Sequence, residues 1–126
     1  MKKIFLIILC LFLFCSCEEK KDDVKKVAVV KNITCSEVND LVSNGAYVID
    51  VRTSDEYNTD HIEGAININN DVIKYSIKNY VSDLNDTIIV YCQSGRRSAQ
   101  SAKILVDMGY VNVYDMGGIS SCYKEE

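Results

Sequence analysis

Two stretches of this chain, AYVIDV at 46–51 and TIIVY at 87–91, are apolar at nearly every position rather than at every second one. A strand with one wet face alternates apolar and polar residues, so an unbroken run belongs to a strand covered on both sides. The segments between such runs have helical period. In TCSEVNDLVSNG, Thr34 and Glu37 have capping-box spacing, Val38, Leu41 and Val42 share a face, and Gly45 ends the element. In SDEYNTD, Ser54 is placed to cap a short helix with Asp55 and Glu56 in its first turn. DVIKYSIKNYVSDL and SAQSAKILVDMGY are further helical segments, the second with Ala99, Ala102, Leu105 and Val106 inward. VAVV, AINI and VNVYDM supply three more short strands, and a short helix follows the last. The expected fold is α/β, with a mostly parallel five-stranded sheet and helices on both faces.

The N-terminus reads differently. MKK is basic, and IFLIILCLFLF adds eleven apolar residues before an abrupt change to CSCEEKKDD. That run is short for a transmembrane helix and fits the core of an export signal. LFCSC resembles the cleavage box of bacterial lipoprotein signals, with Cys17 the lipid-bearing residue because small Ser16 precedes it. The expected organisation is a signal peptide at 1–16, a charged tether at 17–26 and one domain at 27–126. By that resemblance the protein is exported to the bacterial cell envelope and held at a membrane by N-terminal lipid.

Without residues 1–16, the 14 basic residues fall by Lys2 and Lys3 to 12, against 18 acidic ones, a formal charge of −6. So acidic a domain is a poor match for nucleic acid. Cys35, Cys92 and Cys122 remain in the domain, and their spacing with the single His61 is not that of a metal site. In an oxidising compartment Cys35 and Cys122 could pair and leave Cys92 free, although sequence does not show that they meet.

The chemistry concentrates at Cys92. The chain has three arginines, Arg52, Arg96 and Arg97, and two of them follow Cys92 within five residues. Cys92 ends a predicted buried strand, and ligands of open α/β sheets sit beyond such ends. In the loop QSGR, Gly95 lets the backbone curl its N–H groups inward. The next helix begins near Arg97 or Ser98 and adds its positive end. Two cations at a helix start oppose the dipole by roughly a few tenths of a kcal/mol, which calls for a compensating anion. Together these features favour a thiolate and an anionic ligand over it.

VIDVRTSDEYNTDHIEGAININ at 48–69 and IIVYCQSGRRSAQSAKILVDMGYVNVYDMGGI at 88–119 resemble the rhodanese family of sulfurtransferases. The resemblance implies a single rhodanese-like domain and no cofactor. It makes Cys92 the catalytic nucleophile, which takes a sulfane sulfur as a persulfide and passes it to a thiol or cyanide. It implies that backbone N–H groups from Gln93, Ser94, Gly95, Arg96, Arg97 and Ser98 cradle the sulfur, with Arg96 and Arg97 binding a thiosulfate-like donor. Supporting roles are expected for Asp50, on backbone amides, for Arg52, paired with Glu56 or another carboxylate, and for His61. Gly64, Gly109, Gly117 and Gly118 are expected to serve backbone conformation. Two departures stand out: Asp60 replaces a frequent glycine, and Cys122 replaces a frequent aromatic residue. A monomer is expected.

Two other readings compete. A partner-fed sulfur carrier needs the same residues. A phosphatase or arsenate reductase also uses a cysteine, an anion loop and an arginine. That pattern has five residues between cysteine and arginine, however, and Cys92 and Arg97 enclose four. The smaller bowl suits one sulfur atom better.

Overall fold

The computed structural model describes residues 28–123; the expected signal peptide and the whole of the tether, Cys17 included, lie outside them. Five strands form one sheet: β1 (Lys31–Asn32), β2 (Tyr47–Asp50), β3 (Ile66–Asn67), β4 (Thr87–Cys92) and β5 (Asn112–Gly118). Their order is β1-β5-β4-β2-β3, and every pairing is parallel. Four α-helices connect them: α1 (Cys35–Ser43), α2 (Ser54–Thr59), α3 (Ile73–Ser76) and α4 (Arg96–Asp107). Short 3-10 turns follow α3 at Ile77–Asn79 and β5 at Ile119–Tyr123.

The unbroken apolar runs have the predicted cause. β4 is central, and its side chains alternate between two cores. Ile88, Val90 and Cys92 face α3 and α4 with Ile73, Ile77, Leu105 and Val113. Ile89 and Tyr91 face the side of α1 with Val38, Met116 and Ile119. Each fully buried aliphatic side chain contributes about 1.5–3 kcal/mol. Among the described residues no helix is long and apolar enough to cross a membrane.

Several boundaries differ from expectation. β1 lies just after VAVV, as two exposed residues at the sheet edge. Thr53, not Ser54, caps α2: its hydroxyl accepts from Glu56 N while the Glu56 carboxylate reaches back to Thr53 N. The 71–84 segment divides into α3 and a 3-10 turn. α4 begins at Arg96, and it buries Ser98 and Ser101 where Ala99 was expected inward. The exposed side of α4 therefore takes a small apolar residue, while Ser101 is accommodated by donating to Asn70 Oδ1 at 2.6 Å.

A feature of β5 shapes the site. Its register against β4 shifts by one residue, so Val90 faces Asp115 but Tyr91 faces Gly117 and Cys92 faces Gly118. The extra residue is Met116, a β-bulge that bends the strand end. Asp115 Oδ1 steadies it by accepting from Gly117 N at 2.8 Å.

Candidate active site

Cys92 is the last residue of β4 and is wholly enclosed, at 0 % exposure. The chain leaves the sheet there and turns back on itself through Gln93, Ser94 and Gly95. Gly95 has φ +100°, a left-handed conformation that side-chain-bearing residues adopt only with strain. That turn points the Gly95 N–H at the Cys92 Sγ, 3.0 Å away. Burial pushes the Cys92 thiol up, but donors from Ser98, Gly95 and Ser94 outweigh burial and hold it below the ordinary thiol range. The loop therefore selects the thiolate with backbone dipoles. Ser98 closes the loop on itself, its hydroxyl donating to Gly95 O at 3.0 Å.

The two arginines differ. Arg97 turns toward α2 and donates twice to Glu56, from Nη1 to Oε1 at 2.7 Å and from Nη2 to Oε2 at 3.0 Å. This fork-to-fork geometry is the strong form of the pair. The Arg97 bond, with smaller help from Thr53, holds the Glu56 carboxyl down at about 2 against the cost of burial. Glu56 first, and more weakly the charge of Cys92, raise the Arg97 guanidinium above its ordinary value. Arg96 is exposed and makes no ion pair among the described residues.

A buried polar frame lies beneath the loop. Asp50 is fully buried and Arg52 nearly so, and Arg52 Nη2 donates to Asp50 Oδ2 at 2.7 Å. Asp50 also accepts from Arg52 N at 2.9 Å and from the Tyr91 hydroxyl at 2.8 Å. Arg52 Nη1 reaches up to Gln93 Oε1 at 3.0 Å, and Nη2 also donates to Asp60 O. Every buried side-chain polar atom described here has a partner. The frame thus ties the first loop residue to two strand ends.

The family model for the rhodanese-like domain matches residues 34–125. The chain belongs to the rhodanese-like family. It is similar to the thiosulfate sulfurtransferase PspE of Escherichia coli (strain K12), at 46% identity over 56% of this chain and 68% of that one. It also resembles the thiosulfate sulfurtransferase GlpE of Shewanella oneidensis, at 30% identity over 70% of this chain and 89% of that one. Among solved structures, a rhodanese from E. coli with anions aligns with TM-score 0.60 and 43% identity, over 61% of this chain and 91% of that one. The activity that accompanies these relationships is sulfur transfer.

Within this rhodanese domain, Cys92 ends β4, Gln93, Ser94 and Gly95 form the loop, and Arg96, Arg97 and Ser98 open α4. Arg52 has the carboxylate partner expected of it, and of the alternatives left open that partner is Asp50 and not Glu56, because Asp50 ends β2 only two residues away. Glu56 instead takes Arg97, so Arg97 is engaged at rest while Arg96 is open to solvent. His61 stacks on Tyr57 with ring centroids 3.7 Å apart, and its Nδ1 lies 2.8 Å from Tyr57 O, which gives it the supporting role expected of it within the α2 segment. Asp60 contributes its carbonyl to Arg52.

Sequence reasoning passed over two contributors. Tyr91 was read only as a core residue, yet its hydroxyl links Asp50 to Ile62 N at 3.1 Å. Gly118 was credited to backbone freedom, but its role is close approach. A Cβ there would stand 2.6 Å from Gln93 O and 3.3 Å from the carbonyl carbons of Gln93 and Ser94. Cys35 and Cys122 do meet and form a disulfide, with Cα atoms 5.3 Å apart. It fastens the turn after Gly118 to the start of α1. Cys92 is the free cysteine among the described residues.

Proposed function

We propose that this protein is a thiosulfate-type sulfurtransferase that carries sulfane sulfur as a persulfide on Cys92. The observation that carries the reading is the Gly95 N–H aimed at Sγ from 3.0 Å, within a loop that holds the thiol below its ordinary range. A nucleophile stabilised by fixed dipoles needs no neighbouring base.

The cycle has two steps. The Cys92 thiolate attacks the outer sulfur of the donor; a new S–S bond forms, the donor's own S–S bond breaks, and sulfite leaves with its electron pair. A thiol or cyanide then attacks the outer sulfur of the persulfide and restores the thiolate. The loop N–H groups serve the negative charge in both resting and loaded forms. The cationic rim suits the anionic donor and the departing sulfite. Covalent exchange of this kind gives ping-pong kinetics. Export and lipid attachment at Cys17 complete the proposal and rest on the N-terminal sequence alone.

The test is the intact mass after incubation with thiosulfate. The expected gain is one sulfur, about 32 Da, removed by cyanide and missing in Cys92→Ser. An unchanged mass with a titratable Cys92 thiol rejects thiosulfate as the donor. Loading only by a second protein would favour the carrier reading.

A further inference from the structure

Glu56 is anchored in two directions. Through Oε1 it accepts from Thr53 N at 3.3 Å and from the Thr53 hydroxyl at 3.1 Å, which fixes it to the start of α2. Through both oxygens it fills the fork of Arg97. A guanidinium fork presents two parallel N–H bonds, and the oxygens of a carboxylate or of a sulfur oxyanion satisfy it alike. The two side chains are about a third exposed, 32 % for Arg97 and 31 % for Glu56, so a solute can reach the pair. Cys92, whose charge acts on Arg97, is enclosed.

We infer that Glu56 sets how strongly this site takes an anionic sulfur donor, because its carboxylate holds the Arg97 fork that the donor's oxyanion must win. This rests on the sulfurtransferase reading above and assigns a specificity to it. Glu56 is a positioning residue that acts through Arg97. At rest its charge cancels that of Arg97, and Arg96 alone draws the anion in. When the donor displaces it, the capping box keeps Glu56 at the rim, where it opposes a second anion and favours the departure of sulfite. Anion affinity is thereby held down in exchange for release. A neutral reagent feels none of this.

Glu56→Gln isolates the charge, since glutamine preserves the capping-box geometry. The expected result is a KM for thiosulfate about three- to tenfold lower, the size of one partly screened charge at close range. A second readout does not depend on sulfur transfer. Alkylation of Cys92 by anionic iodoacetate and neutral iodoacetamide is followed on the Cys92 peptide of the full chain, and the iodoacetate-to-iodoacetamide rate ratio should rise by a similar factor. If thiosulfate is not the donor, the ratio still shifts, which separates failure of that reading from failure of this one. An unchanged ratio in folded Glu56→Gln overturns the inference. Should that variant not fold, Arg97→Gln is the second probe. It leaves the Glu56 charge unpaired at the rim, so the ratio should fall about threefold or more, and an unaltered ratio again overturns the inference.

Discussion

Cys92 and Gly118 stand opposite each other in the parallel ladder between β4 and β5, so the strand partner of Cys92 carries no side chain. The bulge at Met116 creates this pairing, and the backbone of the active loop folds into the space that results. The sheet itself is part of the mould for the loop.

Gly118→Ala tests the mould. The new Cβ would fall 2.6 Å from Gln93 O, a backbone atom that cannot swing aside. Overpacking of this kind costs about 1–3 kcal/mol of stability. The larger expected effect is on sulfur transfer, at least about tenfold, because a loop displaced by a fraction of an ångström misaims its N–H groups. Full activity in a folded Gly118→Ala protein would show that the loop is not shaped from this side.

Asp50→Asn addresses the frame beneath the loop. The carboxylate is fully buried and offsets the charge of Arg52, which is 3 % exposed. Removing one member of a buried pair leaves the other uncompensated, at about 3–5 kcal/mol. Denaturant unfolding should register that loss, and a change below about 1 kcal/mol would mean that the pair behaves as a solvated one.

Acid should affect the protein through Glu56. Its folded value is depressed from 4.5 to about 2, so its contribution is complete above 4.5 and is lost as pH falls toward about 2. The partial exposure of the pair keeps that contribution small. In Glu56→Gln this part of the acid dependence should disappear, as read from unfolding free energies across that window; an identical profile would assign the acid sensitivity to other groups.

The Cys92 thiol is held low, so its thiolate persists at pH values where an ordinary thiol is protonated. The alkylation rate of Cys92 should fall at a lower pH than that of a free thiol. Ser98→Ala removes one hydroxyl donor and leaves the backbone donors, and the midpoint should move upward. A midpoint in the ordinary thiol range in the unaltered protein would remove the electrostatic basis of the site.

Cys35→Ser with Cys122→Ser should lower stability by about 2–4 kcal/mol, since the bond closes a loop across 87 positions. The same difference should follow treatment of the unaltered protein with reductant. Equal unfolding midpoints with and without the bond would mean that the terminal turn holds its place by packing alone.

The central sheet was legible because AYVIDV and TIIVY are apolar on both faces, a pattern with one structural meaning. β1 was misplaced because it is an exposed edge pair, Lys31–Asn32, that lies beside a more apolar run. The cap of α2 carried its signal in plain view, as Thr53 and Glu56 have capping-box spacing, but Ser54 offered an equally good oxygen one residue later. The cysteine loop was legible as a local pattern of glycine, arginine and helix start. The partners of that loop were not, since Glu56 meets Arg97, and Arg52 meets Gln93, each across 41 positions. Only the crossover from β3 to β4, which passes β2, brings those stretches together.

The Cys35–Cys122 bond has a topological consequence as well. It makes a covalent ring that contains every strand except β1, together with the whole loop that follows Cys92. A single peptide-bond cut anywhere between those two positions opens the ring without releasing a fragment. A protein nicked in an exposed loop would gain only the water of hydrolysis and keep both halves of its sheet until the disulfide was reduced. Survival in the presence of proteases would then depend on the redox state of the surroundings as much as on the folding free energy.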